Sequence, residues 1–492
     1  MDTYKFYTDN LKHKSVKDII KMLKNNETTS LQLVMAYLEH ISRQDTAGAC
    51  LNSIREFNPD AFDLAKYRDW QRNKGEILGS LHGVPIILKD CIDTADKMHT
   101  TCGAVIMKDH YAKKDAFIVE KLRKAGAIII AKANMSEWYG MMSTKSPNGY
   151  SAIAKGSMKN PFGDELIPGG SSGGCAVAVS ADFTPCAIGT ETSGSIIEPA
   201  YMNGVVGFKP TVGLVSRSGI LPVMNCQDVP GSITKSVYDA AILTNVIFGF
   251  DKNDPSTHIC SDLNNIDFTK DLENETLSGK RLGILRESYF DDMSEESRKI
   301  TEKAFEILKE NGAVLIDVYD FMPAKLRLEP EKYEQLTSTS MKHSFKARFN
   351  HYLSQTDDIP AKTLSEIISW NKAHPYAIPY GQDYFEEIDN IKQPFITDNY
   401  FNERQKDIYI CGKNGVDGAL NKYNLDALIM PGLKGQGIAP RNGNPIITIP
   451  CGKGDDGPVG LNLIGHVMGD HLLLKLAYAC ENVLPKRPLI NY

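Results

Sequence analysis

The chain has 492 residues, of which 42% are hydrophobic and 24% are charged, a composition typical of a globular protein with a sizeable core. Its formal net charge of −6 and its lack of a long basic block argue against nucleic acid or an anionic membrane as a partner. No apolar run of about 18 residues and no signal-like leader occurs, so we expect a cytoplasmic protein without a membrane span.

Residues 1–60 are predicted to form a helical segment on the outside of the main body. Apolar residues recur there at helical spacing in two runs. Asn25 and Asn26 interrupt the first run, and Thr29 or Ser30 can cap the second. Such a segment packs one apolar stripe against its neighbours and leaves its polar face in solvent.

From residue 80 to residue 250, short apolar runs alternate with helical stretches and glycine-rich turns. This alternation is typical of an α/β protein. One predicted strand, 84–88, leads directly into Lys89. The other strands predicted in this part of the chain are 127–130 and 186–189, and the predicted helices are 117–125 and one that begins near 173 and includes 176–181.

A polar stretch over 251–280 is predicted to be a surface loop, after which the α/β pattern resumes. Further strands are predicted at 281–285, 313–318, 426–430 and 446–449, and further helices at 295–310 and 470–482. Residues 323–405 are irregular, with many aromatic and charged residues, and are predicted to be a largely helical insertion. No repeat or sharp linker divides the chain, so we predict one α/β domain over 1–492.

Three local features carry the candidate chemistry. Lys89 follows an apolar strand where open α/β sheets place their active sites, and burial there would lower its pKa and make it a base. Residues 168–174 read PGGSSGG and open an alanine- and valine-rich helix, and residues 189–195 read GTETSGS after a short strand. Glycine-rich loops allow tight turns whose backbone N–H groups can hold a negative charge.

In this order and spacing, the three features resemble the amidase signature family. The resemblance rests on PGGSSGGCAVAV at 168–179, GTETSGSI at 189–196 and NGVVGFKPT at 203–211. It resumes with NPIITIPCG at 444–452 and GLNLIG at 460–465. The matching parts of the chain extend over roughly 15–250 and 420–485, and the glycine- and serine-rich core, residues 168–196, is the most specific part.

The resemblance implies an α/β amidase signature fold, with a mixed central β-sheet covered by helices on both faces. It also implies a catalytic triad and hydrolysis of a carboxylic amide through an acyl-enzyme. In this triad Lys89 is the base, Ser171 is the bridging residue after a cis peptide bond to Gly170, and Ser195 is the nucleophile.

Other site residues follow from the same resemblance. Backbone groups of Thr192, Ser193 and Gly194 would bind the oxyanion of the substrate. Ser172 would be a hydrogen-bonding neighbour of the triad. The insertion 323–405 would shape the substrate pocket, because variable loops set substrate choice in this family.

The chain departs from the family pattern near the nucleophile. Many members have an arginine where this chain has Ile197, and Glu198 follows it, so any role of that arginine is in doubt. Asn462 replaces a usual glutamine. The nucleophile loop and the upstream Ser-Glu-Trp look most like the branch that contains peptide amidases, which act on C-terminal peptide amides. Trp138 and Tyr139 could form a pocket wall or pack in the core.

Other functions fit parts of the pattern. The motif GSSGG also fits a hydrolase elbow with Ser172 as nucleophile and His466 or His471 as its base, although Lys89 and Ser195 would stay unexplained. The A subunit of a glutamine-dependent aminoacyl-tRNA amidotransferase shares the signature, but the missing arginine argues against it. An amide-forming acyltransferase would use the same triad, and the complete triad argues against an inactive fold used for binding.

No metal or cofactor is expected. The 11 histidines show no HExxH motif and no paired ligand spacing, and the ten cysteines form no CxxC pair. We expect these cysteines to be free thiols. The expected partner is a small-molecule or peptide amide, and the protein itself is expected to be a monomer or a homodimer.

Overall fold

A mixed sheet of eleven strands forms the centre of the computed structural model. The structure describes residues 2–263, 266–287, 289–291, 293–327, 330–392, 398–433 and 435–490, apart from the side chains of 327, 330–339 and 398–399. The strands are β1 Ile54–Phe57, β2 Pro85–Lys89, β3 Ile128–Ala133, β4 Tyr150–Ser151, β5 Gly156–Ser157, β6 Cys186–Glu191, β7 Val206–Lys209, β8 Val229–Thr234, β9 Arg281–Ile284, β10 Val314–Asp317, β11 Ala427–Pro431, β12 Ile446–Gly454 and β13 Gly457–Ile464.

Helices surround this sheet, as the α/β pattern predicts, and cover both of its faces. They are α1 Thr3–Phe6, α2 Val16–Lys24, α3 Ser30–Ile41, α4 Ala61–Asn73, α5 Phe117–Lys124, α6 Gly173–Ser180, α7 Ile197–Met202, α8 Val237–Ile247, α9 Glu295–Glu310, α10 Met322–Arg327, α11 Pro330–Ser354, α12 Leu364–Ala373, α13 Asp383–Asp389, α14 Asp398–Asp407, α15 Val416–Lys422, α16 Ile438–Asn442 and α17 Asp470–Val483. None of the helices in the described ranges is long and apolar enough to cross a membrane.

The strand order places two carboxyl ends side by side at the centre of one half of the sheet. The order is β1-β3-β2-β6-β8-β7-β12-β13-β11-β9-β10, with β4 and β5 in a separate hairpin. Strand β2 lies parallel to both β3 and β6, whereas the strands from β6 to β11 pair antiparallel. Because Leu88 pairs with Ile188, Lys89 at the end of β2 lies beside Gly189 and Thr190 of β6.

The strands that carry the site are buried on both faces. Every residue of β2 and of β6 is buried, as expected for near-continuous apolar runs in a parallel part of a sheet. Helix α6 is also buried along its whole length, and its small alanine and glycine residues let it pack against β6. The glycine-rich loop before α6 is therefore held between two layers that cannot move apart without opening the core.

The N-terminal segment 1–60 is more than a helical cover. Helices α2 and α3 form as predicted, and Thr29 caps α3 in a reciprocal capping box with Gln32. The segment then contributes β1, the edge strand of the sheet, which pairs antiparallel with β3. Sequence periodicity missed this strand because its four residues include Arg55 and Glu56.

In the part of the predicted insertion that the structure describes, helices alternate with loops. Helices α10 to α14 occupy most of 323–405, and residues 328–329 and 393–397 lie outside the described residues. Phe345, Phe349 and Phe385 from α11 and α13 form a fully buried aromatic cluster with Trp138 of the core. The insertion is therefore packed against the main body through apolar side chains.

Candidate active site

Lys89 is a fully buried lysine whose amine has hydroxyl and carbonyl groups as its polar partners. Its Nζ lies 2.7 Å from Oγ of Ser171, 3.0 Å from Oγ1 of Thr190 and 3.3 Å from the Thr190 carbonyl oxygen. The ring of Tyr139 lies against the same ammonium group, with its centroid 5.1 Å from Nζ. Burial lowers the pKa of Lys89 below its ordinary value, because the charged form loses its hydration. A neutral amine in this position can accept a proton from Ser171.

Ser171 lies in a glycine-rich loop that packs too tightly for larger residues. The peptide bond between Gly170 and Ser171 is cis, as the resemblance implies. A Cβ atom on Gly174 would lie 2.2 Å from the carbonyl oxygen of Asn134, so only glycine fits at the start of α6. The backbone N–H of Ser136 donates to the Ser171 carbonyl oxygen at 3.2 Å and fixes the loop from the other side.

Ser172 connects the two serine-bearing loops. Its Oγ donates to the Thr190 carbonyl oxygen at 3.1 Å and accepts the Thr190 N–H at 3.3 Å, and its own N–H donates to the Ser195 carbonyl oxygen at 3.2 Å. Ser195 is half-buried, whereas Ser172 is fully buried. The bonds of Ser172 therefore bring the backbone of Ser195 next to the loop of Ser171.

The loop after β6 is held by a buried carboxylate, Glu191. This carboxylate accepts the backbone N–H groups of Ile196 at 2.7 Å and Ile197 at 3.0 Å, and the N–H of Gly194 acts on it as well. Burial raises the pKa of Glu191, and the positive charge of buried Lys209 opposes that rise. The Glu191 carboxylate therefore holds the Ser195 loop in place through backbone N–H groups.

The predicted oxyanion residues have defined partners in the structure. Thr192 Oγ1 donates to the half-buried carboxylate of Asp228 at 2.5 Å, and Gln227 donates to the Thr192 carbonyl oxygen at 2.9 Å. Asp228 also accepts the N–H groups of residues 223 and 224. Gly194 has a φ of +95°, which favours glycine, and Ser193 is exposed.

Ile197 shows what replaces the usual arginine. Its side chain is fully buried and belongs to an apolar cluster that includes Tyr289, Ile438 and Ile446. A guanidinium in this environment would be desolvated without an obvious counter-charge. The departure from the family pattern is thus matched by apolar packing around the position.

A large cavity of about 1260 Å³ adjoins the site. Tyr139, Thr190 and Thr192 line its inner end, although Lys89, Ser171 and Ser195 themselves are not lining residues. The opposite wall comes from the predicted insertion and includes Tyr352, whose hydroxyl donates to the half-buried carboxylate of Asp93 at 2.9 Å. The two candidate aromatic residues have different roles, since Tyr139 lines the cavity and Trp138 packs in the core.

The hydrolase elbow finds no support in these positions. Ser172 is fully buried and both hydrogen bonds of its Oγ are to Thr190. His471 contacts the Lys270 carbonyl oxygen at 3.1 Å, and His466 is exposed. Within the described ranges, no group of three or more His, Cys, Asp or Glu residues could hold a metal ion.

Thr190, Glu191 and Asp228 are site residues that sequence reasoning missed. Thr190 and Glu191 lie inside the motif 189–195, but their side chains had no distinguishing pattern. Asp228 lies 36 residues beyond its partner Thr192, so nothing in local spacing could have joined the two.

Comparison with known proteins identifies the family of this chain. Residues 32–474 match the family model described as Amidase. A probable amidase of Arabidopsis thaliana is 31% identical over 481 residues, which cover 96% of this chain and 90% of the relative. The chain therefore belongs to the amidase signature family, whose members are hydrolases of carbon–nitrogen bonds.

Solved structures add detail within the family. The native peptide amidase of Stenotrophomonas maltophilia is similar with a TM-score of 0.90 and 34% identity, and the match covers 99% of each chain. The A subunit of the glutamyl-tRNA(Gln) amidotransferase of Thermotoga maritima is similar with a TM-score of 0.71 and 26% identity, covering 98% of this chain and 99% of that one.

Proposed function

We propose that Lys89, Ser171 and Ser195 form the catalytic triad of an amidase that acts on peptide C-terminal amides. The contact that carries this proposal is the 2.7 Å approach of the buried Lys89 Nζ to Ser171 Oγ. A lysine held among neutral partners, with its pKa lowered by burial, has the character of a base rather than of an ion-pair partner.

In the proposed mechanism the proton moves along the triad. Neutral Lys89 accepts a proton from Ser171, and Ser171 accepts one from Ser195, whose oxygen attacks the amide carbon. The tetrahedral intermediate collapses when the carbon–nitrogen bond breaks, and the proton returns through Ser171 to the leaving amine. Water then attacks the acyl-enzyme by the same route in reverse.

Backbone N–H groups of Thr192, Ser193 and Gly194 are the proposed donors to the oxyanion. The bonds of Thr192 to Asp228 and Gln227 hold this turn in place before the substrate arrives. Because the N–H of Gly194 also acts on Glu191, we assign the larger share of oxyanion binding to Thr192 and Ser193.

The substrate proposal rests on the cavity and on the relatives. A cavity of about 1260 Å³ exceeds the size that a small aliphatic amide would need and suits several residues of a peptide. The similarity to a peptide amidase is greater than that to the amidotransferase chain, both in identity and in TM-score. An amide-forming acyltransferase with the same triad remains the second candidate, because only the acceptor for the acyl group differs.

Labelling by a serine-directed fluorophosphonate, followed by intact-protein mass, tests the triad. We expect one label on the wild type and on Ser172→Ala, none on Ser195→Ala, and much slower labelling of Lys89→Ala. Labelling that survives Ser195→Ala would overturn the assignment of the nucleophile.

Release of ammonia from a short peptide amide tests the substrate class. The purified chain alone should hydrolyse the peptide amide much faster than acetamide. Equal rates for the two compounds, or a requirement for a second protein, would contradict the peptide amidase proposal. Formation of a new amide when a free amine is added would favour the acyltransferase.

A further inference from the structure

Glu198 connects the nucleophile loop to a neighbouring surface loop. Its backbone N–H donates to the Gly194 carbonyl oxygen at 2.8 Å, which fixes its position relative to Ser195. Its side chain is half-buried and accepts a hydrogen bond from the Nδ2 of Asn148, with a distance of 2.9 Å to Oε1. Asn148 itself is exposed, so the pair lies at the rim of the site.

Asn148 in turn contacts the residues before the bridging serine. The hydroxyl of Ser136 donates to Asn148 Oδ1 at 3.4 Å and accepts the N–H of Gly149 at 3.1 Å. A Cβ atom on Gly170 would lie 2.3 Å from Asn148 Oδ1 and 2.4 Å from Ser136 Oγ, so both oxygens pack directly on the Gly170 Cα. The N–H of Ser136 donates to the Ser171 carbonyl oxygen.

Glu198 can determine the orientation of the Asn148 amide. A carboxylate only accepts hydrogen bonds, so it attracts the NH₂ end of an amide and turns the oxygen end away. In this structure the oxygen end faces Ser136 and Gly170, where a flipped amide would offer a second donor to the Ser136 hydroxyl. The contact of Lys89 with Ser171 depends on the backbone that these oxygens hold, and active-site rates are sensitive to shifts below 1 Å.

We propose that Glu198 is a positioning residue for the reaction, acting through Asn148 and Ser136 on the Gly170–Ser171 segment. The inference rests on the proposed triad, since it assigns Glu198 the task of holding the bridging serine. Burial raises the pKa of Glu198 to about 7, and the nearby carboxyl of Glu191 adds to that rise. Below this pH the protonated acid can donate to the amide oxygen, so its control of the amide weakens.

The proposal is tested by exchanging the amide and carboxyl groups of Asn148 and Glu198. Asn148→Asp places two carboxyl groups face to face, and we expect kcat for a peptide amide to fall about tenfold at pH 8 and less at pH 6, with KM little changed. Adding Glu198→Gln to that variant restores an amide–carboxylate bond with reversed polarity, and kcat should return to within about threefold of the wild type. Glu198→Ala alone should slow fluorophosphonate labelling as well as hydrolysis.

Glu481 is the matched control. It is another half-buried carboxyl whose pKa is raised, here to about 8, and it accepts the N–H of Val237 away from the site. Glu481→Gln should leave kcat and the labelling rate unchanged. A double variant as slow as Asn148→Asp, or a Glu198→Ala protein with the wild-type kcat, would overturn the proposal even if the triad stands. Activity that persists in Ser195→Ala would contradict the proposed triad itself, and this outcome can be told apart from a failure of the Glu198 proposal.

Discussion

Different kinds of contact stabilise two regions of the molecule, the signature core (residues 80–250) and the insertion (residues 323–405). In the core, Lys89 and Glu191 are fully buried, and their partners are backbone groups and hydroxyls of neighbouring strands and loops. The insertion packs on the core through the aromatic cluster around Trp138, but along the wall of the cavity it adds exposed polar pairs such as Lys113 with Asp357.

This difference indicates which part of the molecule can change without loss of the reaction. A buried charge with one missing partner is costly, so each residue around Lys89 constrains the others. Exposed ion pairs contribute little, so the cavity wall can be altered one residue at a time. We infer that the core fixes the chemistry of the enzyme and that the insertion sets which amides reach it.

Removing the buried amine should have the largest effect. Lys89→Met is expected to lower kcat/KM by about 10⁴ or more, because Ser171 can then no longer pass the proton of Ser195 on to an amine. In the wild type, kcat/KM should rise with pH as Lys89 loses its proton, and this rise should be centred below the ordinary pKa of lysine because burial lowers the pKa.

Lys132 provides a matched control for this prediction. It is also fully buried with a lowered pKa, but its Nζ donates to the Ile92 carbonyl oxygen at 2.6 Å and to Thr100. A steady-state pH profile of Lys132→Met should keep the same rise, even if its melting temperature falls. A rise that disappears in Lys132→Met and persists in Lys89→Met would reverse our assignment of the base.

The strands that form the site could be predicted, and several of their neighbours could not. Strands β2, β3 and β6 contain apolar runs, and hydrophobicity alone predicts them. Strand β8 contains Pro230 and Gly231, which locally favour a turn, yet it lies in the middle of the sheet. A Cβ atom on Gly231 would lie 2.2 Å from the Phe208 carbonyl oxygen, so the close approach of β7 requires this glycine.

The proposed triad could be named from the sequence because its motifs are specific, but the groups that surround it in the structure could not. The contact of Thr190 with Lys89 depends on the parallel register of β2 and β6. The contact of Asp228 with Thr192 depends on how β8 returns beside β6. Both are products of tertiary structure, and no local pattern encodes either of them.

Thr190→Val, in the signature core, should have an intermediate effect on activity. The substitution keeps the shape of the side chain and removes the hydroxyl that lies 3.0 Å from Lys89 Nζ. We expect kcat/KM to fall about ten- to a hundredfold, which corresponds to the loss of one hydrogen bond to the ammonium that Lys89 becomes when it accepts the proton. Thr190→Ser retains the hydroxyl and should stay within about threefold of the wild type. If both variants lose activity equally, packing rather than the hydroxyl is responsible.

Tyr352→Phe should have the smallest kinetic effect, and the effect should appear in substrate binding. The change removes the donor to Asp93, a half-buried carboxyl whose pKa is raised to about 6 by desolvation. The variant should lose about 1–3 kcal/mol of stability, as expected for a buried acceptor left without its donor. The tyrosine favours the ionised carboxylate, so the loss should be larger at pH 8 than at pH 5, where Asp93 is protonated in both proteins.

The kinetic readout distinguishes the wall from the triad. We expect KM for a peptide amide to rise about two- to fivefold in Tyr352→Phe, while kcat for a small amide that does not reach the insertion stays unchanged. Lys113→Ala, which removes the exposed ion pair with Asp357 on the same wall, should change neither quantity. A loss of kcat for both substrates in Tyr352→Phe would mean that the insertion also supports the triad, and the division between the two regions would no longer hold.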